Sequence, residues 1–339
     1  MKQTYSFDDV LLVPKQSNIK SRSEIDISSD LGKNNFRLPV IASPMDTISG
    51  AAMAIEMVHH DALAVIHRYN TPTAQSEMIS YIRDVTRGEK IAAAIGMSGD
   101  FWDRAESLVK AGTNILCIDV AHGHHTMMEA CLKKLKDKFA SSVHLMAGNV
   151  ATLEAFEALS EWGADSIRVG IGGGSICSTR IVTGHGVPTF QSILECSKTS
   201  YDTKIIADGG IKTSGDMVKA LAAGADFVMV GSMLAGTDET PGKIMEGSKS
   251  EKYKEYRGMA SKEAQRDWRG KSSTPEGVAA VVPYKGSVKD ILKDIDGGIR
   301  SGLSYTGARN IKELQSRAHF ILQSSAAQLE SNTHILWRK

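Results

Sequence analysis

The chain has little of several things, and each shortage narrows what it can be. No run approaches the ~18 apolar residues of a membrane span, so no membrane partner is expected. The stretch Met1 to Lys20 has no apolar core of signal-peptide type, which points to a cytoplasmic location. Lysine and arginine number 40 against 39 acidic residues, and no basic block breaks that balance. Nucleic-acid binders gather their cations on one face, so no nucleic-acid partner is expected. Only four cysteines occur, Cys117, Cys131, Cys177 and Cys196, and no CxxC pair is among them. That spacing argues against a thiolate metal site and for free thiols in a reducing compartment.

What is present is a large apolar fraction in a regular rhythm. Hydrophobic residues make up 42% of 339 residues, enough for one large core. Eight short apolar runs stand between amphipathic stretches: Pro39–Asp46, Ala62–Arg68, Lys90–Ser98, Ile115–Gly123, Val143–Val150, Ser166–Gly172, Lys204–Gly210 and Phe227–Met233. Most are continuous rather than alternating, as parallel strands buried on both faces require. Gly112, Gly163 and Gly224 fall where a helix would stop and a strand begin, a place that favours the left-handed backbone glycine tolerates. Thr152 and Thr213 sit where helix N-caps are needed. The pattern predicts an α/β fold, a (β/α)8 TIM barrel in one domain over residues 1–339, rather than an open doubly wound sheet. Residues 234–290 are polar and break the rhythm, and read as a flap or lid at the mouth of the barrel. From about Ser316 the chain reads as a helix followed by a polar C-terminal tail.

The densest chemical signal is Val169-Gly170-Ile171-Gly172-Gly173-Gly174-Ser175-Ile176-Cys177-Ser178-Thr179-Arg180, directly after a predicted strand. Glycines let the backbone bend sharply and approach a ligand. Carbonyls of Gly172, Gly174 and Cys177 are candidates for a monovalent cation such as potassium, and N–H groups of the loop for an anion. Cys177 lies on the face where barrel enzymes carry their chemistry, and a thiolate is a strong nucleophile. Thr179 stands two residues on, placed to relay a proton. Cys117 falls inside an apolar run, and Cys131 and Cys196 in helix-like stretches, so these three read as packing.

Ala207-Asp208-Gly209-Gly210 and Val230-Gly231-Ser232 close the last two strands, where barrels often hold phosphate. An acid cannot favour phosphate, so Asp208 is assigned to sugar hydroxyls. Asp119 ends another strand, ahead of His122, His124 and His125. Adjacent His124 and His125 cannot share a helix face and no carboxylate follows at ligand spacing, so zinc is set aside. Glu276 could act as general acid or base toward Thr179 if the flap folds over the site. A barrel holding a flavin phosphate on the late loops is the other reading these glycines allow.

Taken in order, Tyr5 to Pro14, Ser43-Pro44-Met45-Asp46-Thr47, Ala147 to Thr152, the Cys177 loop, Ala207 to Gly210 and Tyr256-Arg257-Gly258-Met259 resemble the IMP dehydrogenase/GMP reductase family. The resemblance implies a (β/α)8 barrel, usually tetrameric, with GMP or IMP bound beside Cys177. Ser175, Gly231, Ser232 and Tyr256 would hold the phosphate, and Asp208, with Gly209 and Gly210 beside it, the ribose. Ser43, Met45, Gly258 and Met259 would contact or position the nucleotide. A nicotinamide cofactor, NADPH or NAD, would stack on the purine near Asp119 and Asn149. Both reactions of the family pass through a covalent Cys177–purine C2 intermediate.

Several features favour the reductase branch of that family. Arg68 runs through Tyr69-Asn70-Thr71 into a helix, leaving no room for the regulatory CBS modules usual in the dehydrogenases. The stretch from Met259 to Glu276 is shorter than a dehydrogenase flap and lacks its water-activating Arg-Tyr pair; Arg266-Asp267-Trp268-Arg269 stands there instead. Ile66-His67-Arg68 also resembles reductases. Tyr256-Arg257-Gly258-Met259, Pro275-Glu276-Gly277 and Val282-Pro283-Tyr284-Lys285-Gly286 look more like dehydrogenases, and Gly173 replaces a proline common in reductases.

Overall fold

All eight predicted runs form strands of one closed parallel barrel in the computed structural model, which describes residues 1–333 apart from Glu89 and Lys249. The chain enters through β1 (Val10–Leu12) and a hairpin, β2 (Ser29–Leu31) and β3 (Asn34–Phe36). The barrel then runs β4 (Val40–Ala42), α1 (Ala51–His59), β5 (Leu63–Ile66), α2 (Pro72–Thr86), β6 (Ala92–Ile95) and α3 (Phe101–Ala111). It continues β7 (Ile115–Asp119), α4 (Thr126–Phe139), β8 (His144–Val150), α5 (Leu153–Glu161) and β9 (Ser166–Val169). Two helices, α6 (Thr179–Thr183) and α7 (Thr189–Cys196), precede β10 (Lys204–Asp208), α8 (Ser214–Ala222) and β11 (Phe227–Val230). β11 pairs with β4 through Val228, Met229 and Val230, which closes the ring.

Alternation along each strand makes two apolar layers. Ile41, Val65, Cys117, Met146, Ile206 and Met229 fill the inside of the barrel. Their neighbours, such as Ala42, Ile66, Ile118 and Ala207, face the surrounding helices. The β2–β3 hairpin plugs the N-terminal end of the barrel: Leu31 and Phe36 join the inner layer, and Phe36 meets Phe227 edge-on at 5.6 Å. Helix ends follow the sequence signals. Gly112, Gly163 and Gly224 adopt φ of +121°, +103° and +118°, and the Thr152 and Thr213 hydroxyls cap α5 and α8.

Beyond β11 the flap segment has more regular structure than its composition suggests. β12 (Met245–Glu246), β13 (Lys252–Arg257) and β14 (Ala279–Pro283) form an antiparallel sheet, with α9 (Lys262–Arg269) between β13 and β14. Lys254 and Tyr256 are its buried positions on β13, and a lysine inside is not an apolar signal. Residues 288–290 belong instead to α10 (Val288–Thr306), which packs on α8.

The C-terminal stretch departs from the expected helix and tail. α11 (Ile311–Arg317) already ends where the helix was expected to begin. β15 (Phe320–Leu322) then pairs antiparallel with β1, Val10 opposite Leu322, before α12 (Ser325–Glu330). Phe320 packs on Phe190 at 5.0 Å. A three-residue strand whose partner is near the other end of the chain leaves no periodic trace. The remainder of the expected tail, residues 334–339, lies outside the described residues. No helix among the described residues is long and apolar enough to cross a membrane.

Candidate active site

Every predicted site residue lines one cavity of about 420 Å³ at the C-terminal mouth of the barrel. Parallel strands deliver their C-terminal loops to that face, so β7, β8, β9, β10 and β11 bring Asp119, Asn149, the Cys177 loop, Asp208 and Gly231 together.

The glycine loop is held in place by close backbone contacts. Gly170 has φ of +148°, and a Cβ there would fall 1.9 Å from the Asp208 carbonyl oxygen. A Cβ on Gly209 would lie 3.1 Å from the Gly174 nitrogen, so the loops after β9 and β10 touch. Gly173 has its own reason: a Cβ there would meet the Thr189 hydroxyl at 2.5 Å. That hydroxyl is buried and makes no hydrogen bond among the described residues. The departure from a reductase-type proline is thus matched by a threonine occupying the space.

Cys177 is half-buried at the end of this loop, and its thiol donates to the Thr179 hydroxyl at 3.2 Å. The other three cysteines are buried, and burial pushes each thiol up to about 12. Only Cys177 opens to the cavity. Part of the flap pairs with the loop like a strand. The Ser178 N–H donates to the Glu276 carbonyl at 2.9 Å, and Val278 N–H to the Ile176 carbonyl at 3.0 Å. Glu276 lines the cavity, and its main chain is tied to the cysteine loop by the Ser178 bond. No hydrogen bond joins its carboxylate to Thr179 among the described residues.

On the opposite side, Tyr256 reaches over from β13. Its hydroxyl lies 3.3 Å from the Ser175 hydroxyl. A Cβ on Gly231 would stand 3.1 Å from that same phenol oxygen, 3.2 Å from Met45 Sδ and 3.6 Å from Ser43 Oγ. Ser43, Met45, Ser175, Gly231 and Tyr256 thus converge on one small-residue pocket, with Ser232 beside them. Burial raises the Tyr256 phenol, so it stays a donor. Met259 is fixed by its sulfur, which accepts from the Asp46 N–H at 3.3 Å. Gly258 lies where a Cβ would approach Gly277 and the Ile176 carbonyl at 3.5 Å.

The residue that sequence reasoning missed is Arg168, a charged side chain on β9. Its guanidinium bonds Asp119 at 2.5 Å and Asp208 at 2.8 Å. Burial would lower its pKa, but Asp208 and Asp119 together hold it well above the ordinary value. Asn149 Nδ2 donates to the same Asp208 oxygen at 2.8 Å. One Asp208 oxygen is therefore occupied inside the protein. The signal was available: an arginine within an otherwise apolar buried strand needs paired carboxylates. Arg68 and Tyr69, after β5, also line the cavity, with the Arg68 guanidinium over the Tyr69 ring at 5.0 Å.

A second cluster clamps α9 against the barrel. Asp46 accepts from Arg257 at 2.6 Å and from the Trp268 indole N–H at 3.1 Å, while Arg257 also bonds Asp267 at 2.5 Å. This holds Arg269 and Gln265 on the cavity wall. The histidines after Asp119 gather no metal cluster among the described residues. His125 instead caps α4, its Nδ1 accepting from the Met127 N–H at 3.0 Å.

Residues 4–334 match the family described as the IMP dehydrogenase / GMP reductase domain. Among curated proteins, the chain is 43% identical over 281 residues to an inosine-5'-monophosphate dehydrogenase of Aquifex aeolicus, covering 80% of this chain and 56% of that one. It is 44% identical over 257 residues to a GMP reductase of Leishmania major, covering 72% and 52%. An inosine-5'-monophosphate dehydrogenase of Nitrosopumilus maritimus is 32% identical over 470 aligned positions spanning 98% of each chain. That alignment is longer than the 339-residue chain, so the relative carries residues with no counterpart here. Among solved structures, a GMP reductase C318A of Trypanosoma brucei in complex with guanosine 5'-monophosphate superposes with a TM-score of 0.93 at 28% identity, over 99% of both chains. The chain belongs to the IMP dehydrogenase/GMP reductase family, oxidoreductases that use a nicotinamide cofactor.

Proposed function

We propose that the chain is a GMP reductase, converting GMP to IMP and ammonia with NADPH. The observation that carries this reading is the lid. Where a dehydrogenase flap would present a water-activating Arg-Tyr pair, α9 presents Asp267 and Trp268, both bound into the Arg257–Asp46 cluster. No tyrosine occurs between Met259 and Gly277. β5 also passes directly into α2 with no inserted module. The GMP complex of the Trypanosoma brucei neighbour and the Leishmania major relative support the same reading.

In this reading the GMP phosphate lies among Ser175, Gly231, Ser232 and Tyr256, and the ribose on the Asp208 oxygen that Arg168 and Asn149 leave available, beside Gly209 and Gly210. Ser43, Met45, Gly258 and Met259 position the base. Cys177 sulfur bonds to C2, and the C2–amino bond breaks as Thr179 with Glu276 supplies the proton that makes ammonia. C2 then gains hydride, the C2–sulfur bond breaks, and the thiolate is regenerated. The nicotinamide cofactor supplies that hydride. Two buried atoms suit its carboxamide: Asn149 Oδ1, an acceptor without a hydrogen-bond partner among the described residues, and Arg68 Nε, a donor that makes no hydrogen bond and lies 3.8 Å from its ion-pair partner Asp119. Asp119 beside them fits a ribose hydroxyl. For potassium, the Gly174 carbonyl already accepts from the Cys177 N–H at 3.1 Å. Gly172, Gly174 and Cys177 would supply at most part of a cation's shell. A homotetramer completes the reading.

One observation favours the IMP dehydrogenase alternative, IMP with NAD and water to XMP. Arg269 from the lid and Tyr69 from the loop after β5 line the same cavity as Cys177, an Arg-Tyr pair drawn from two segments. Burial raises the Tyr69 phenol and keeps it protonated. Two parallel assays separate the reactions: GMP with NADPH, following nicotinamide absorbance and ammonia, and IMP with NAD. NADPH oxidation with ammonia release supports the reductase. NAD reduction on IMP, abolished by Arg269→Ala, gives the case to the dehydrogenase.

A further inference from the structure

The segment that carries Glu276 is held on both sides by main-chain bonds. On one side it pairs with the cysteine loop, through the Ser178 N–H to the Glu276 carbonyl and the Val278 N–H to the Ile176 carbonyl. On the other it pairs with the turn between β13 and α9. There the Glu276 N–H donates to the Ala260 carbonyl at 3.1 Å, and the Gly258 N–H to the Val278 carbonyl at 3.0 Å. Gly277 accordingly bridges both Cys177 and Ser261.

The chain leading into this segment has no such support. Residues 270–275 form neither helix nor strand, and all are exposed. One side chain spans them. Gln265, on α9, is 5% exposed and lines the cavity, whereas the other polar residues of that helix are exposed. Its Oε1 accepts from the Ser273 N–H at 2.7 Å and from the Ser273 hydroxyl at 3.1 Å. Its Nε2 donates to the Ala260 carbonyl at 3.0 Å, the same oxygen that receives the Glu276 N–H. These partners fix the amide's orientation, because a carbonyl only accepts and a peptide N–H only donates. The side chain thus joins Ser273 to the oxygen that holds Glu276. Ordering and desolvating a long amide is costly, and these hydrogen bonds offset it.

We propose that Gln265 is a positioning residue for Glu276. It fixes the peptide from which the carboxylate extends, and it acts through Glu276 rather than on the nucleotide. The inference rests on the proton-supplying role of Glu276 in the proposed function and adds the group that sets its place.

The test is a double-mutant cycle with Gln265→Met and Glu276→Gln, following ammonia release from GMP with NADPH. In the wild-type background Gln265→Met should lower kcat about tenfold or more, with the KM for GMP within about twofold. In the Glu276→Gln background the same change should alter the residual rate by no more than about twofold, since the group it positions is already gone. A second readout runs the hydride step backward with IMP and NADP+, in which C2 gives up hydride and bonds Cys177. That step needs no ammonia protonation, so Gln265→Met should leave its single-turnover rate within about twofold of wild type. Equal losses in both backgrounds, or an equal loss in the hydride step, overturn the inference and leave the proposed function standing. A wild-type chain that releases no ammonia from GMP overturns the proposed function and this inference with it. If Gln265→Met loses its thermal unfolding transition, Gln265→Glu, which keeps the length and the acceptor for Ser273, enters the same cycle and the same outcomes decide.

Discussion

The Cys177 thiol donates a hydrogen bond to the Thr179 hydroxyl at 3.2 Å, across the first step from the glycine loop into α6. In the proposed mechanism the nucleophile and its nearest proton carrier are therefore preset by one short segment, whereas Glu276 arrives from the flap. This division predicts different losses. Cys177→Ala should remove turnover, a fall of at least ~10³, while calorimetry still shows GMP binding. Thr179→Ala and Glu276→Gln should each cost ~10² to 10⁴ in kcat. Retained turnover in Cys177→Ala would exclude the covalent route.

Gly170 and Gly174 belong to the same loop but carry different constraints. A Cβ at Gly170 collides with the Asp208 carbonyl at 1.9 Å and must accept φ of +148°; at Gly174 the nearest contact is the Cys177 Cβ at 3.3 Å. Gly170→Ala should cost on the order of 3 kcal/mol or more and separate the loops after β9 and β10. Gly174→Ala should cost well under half of that. Urea unfolding of the two variants checks the contrast, and equal costs would contradict it.

Asp46 and Arg257 form a nearly buried pair, with side chains 6% and 11% exposed. Arg257→Met leaves the carboxylate with only the Trp268 indole. A loss of about 3 kcal/mol is expected, together with a red-shifted Trp268 emission as α9 loosens. Adding Asp46→Asn should restore part of the stability, since no unpaired charge then remains. Chemical denaturation of the single and double variants measures this directly.

His144 lies at the other end of the barrel, its Nε2 2.8 Å from the Ser166 hydroxyl. Burial, only partly offset by Asp165, lowers its pKa to about 4 from 6.5. The unfolded chain thus binds this proton more readily than the folded one. The stability tied to the neutral ring is complete above pH ~6.5 and falls as pH drops toward ~4, by up to ~3 kcal/mol. His67, lowered mainly by burial, acts in the same direction. Unfolding free energies of wild type and His144→Gln between pH 4 and 7.5 should converge as pH falls. Parallel profiles would contradict the assignment.

The barrel was legible because strand burial is a local property. Ile115 to Ile118 are buried on both faces, and a continuous apolar run reports that without reference to any partner. Gly112, Gly163 and Gly224 were legible for the same reason, since a helix end needs its left-handed residue whatever surrounds it. The Cys177 loop stood out because its glycines and thiol are contiguous, and the family pattern supplied the order of the remaining motifs.

What residues 1–333 acquire only on folding are pairings between distant segments. Arg168 meets Asp119 and Asp208 because β7, β9 and β10 end at one level of a closed ring. Trp268 meets Asp46, and β15 meets β1, for similar reasons of closure. Burial periodicity carries no information about which buried charge faces which. Thr189 filling the space that a Cβ on Gly173 would need belongs to the same class. The amino-acid order by itself determined the eight strands, the glycine-rich Cys177 loop and the family. The tertiary structure decided the charge network beneath the cavity and the clamp on α9, because both depend on how a ring of strands brings remote side chains within hydrogen-bond reach.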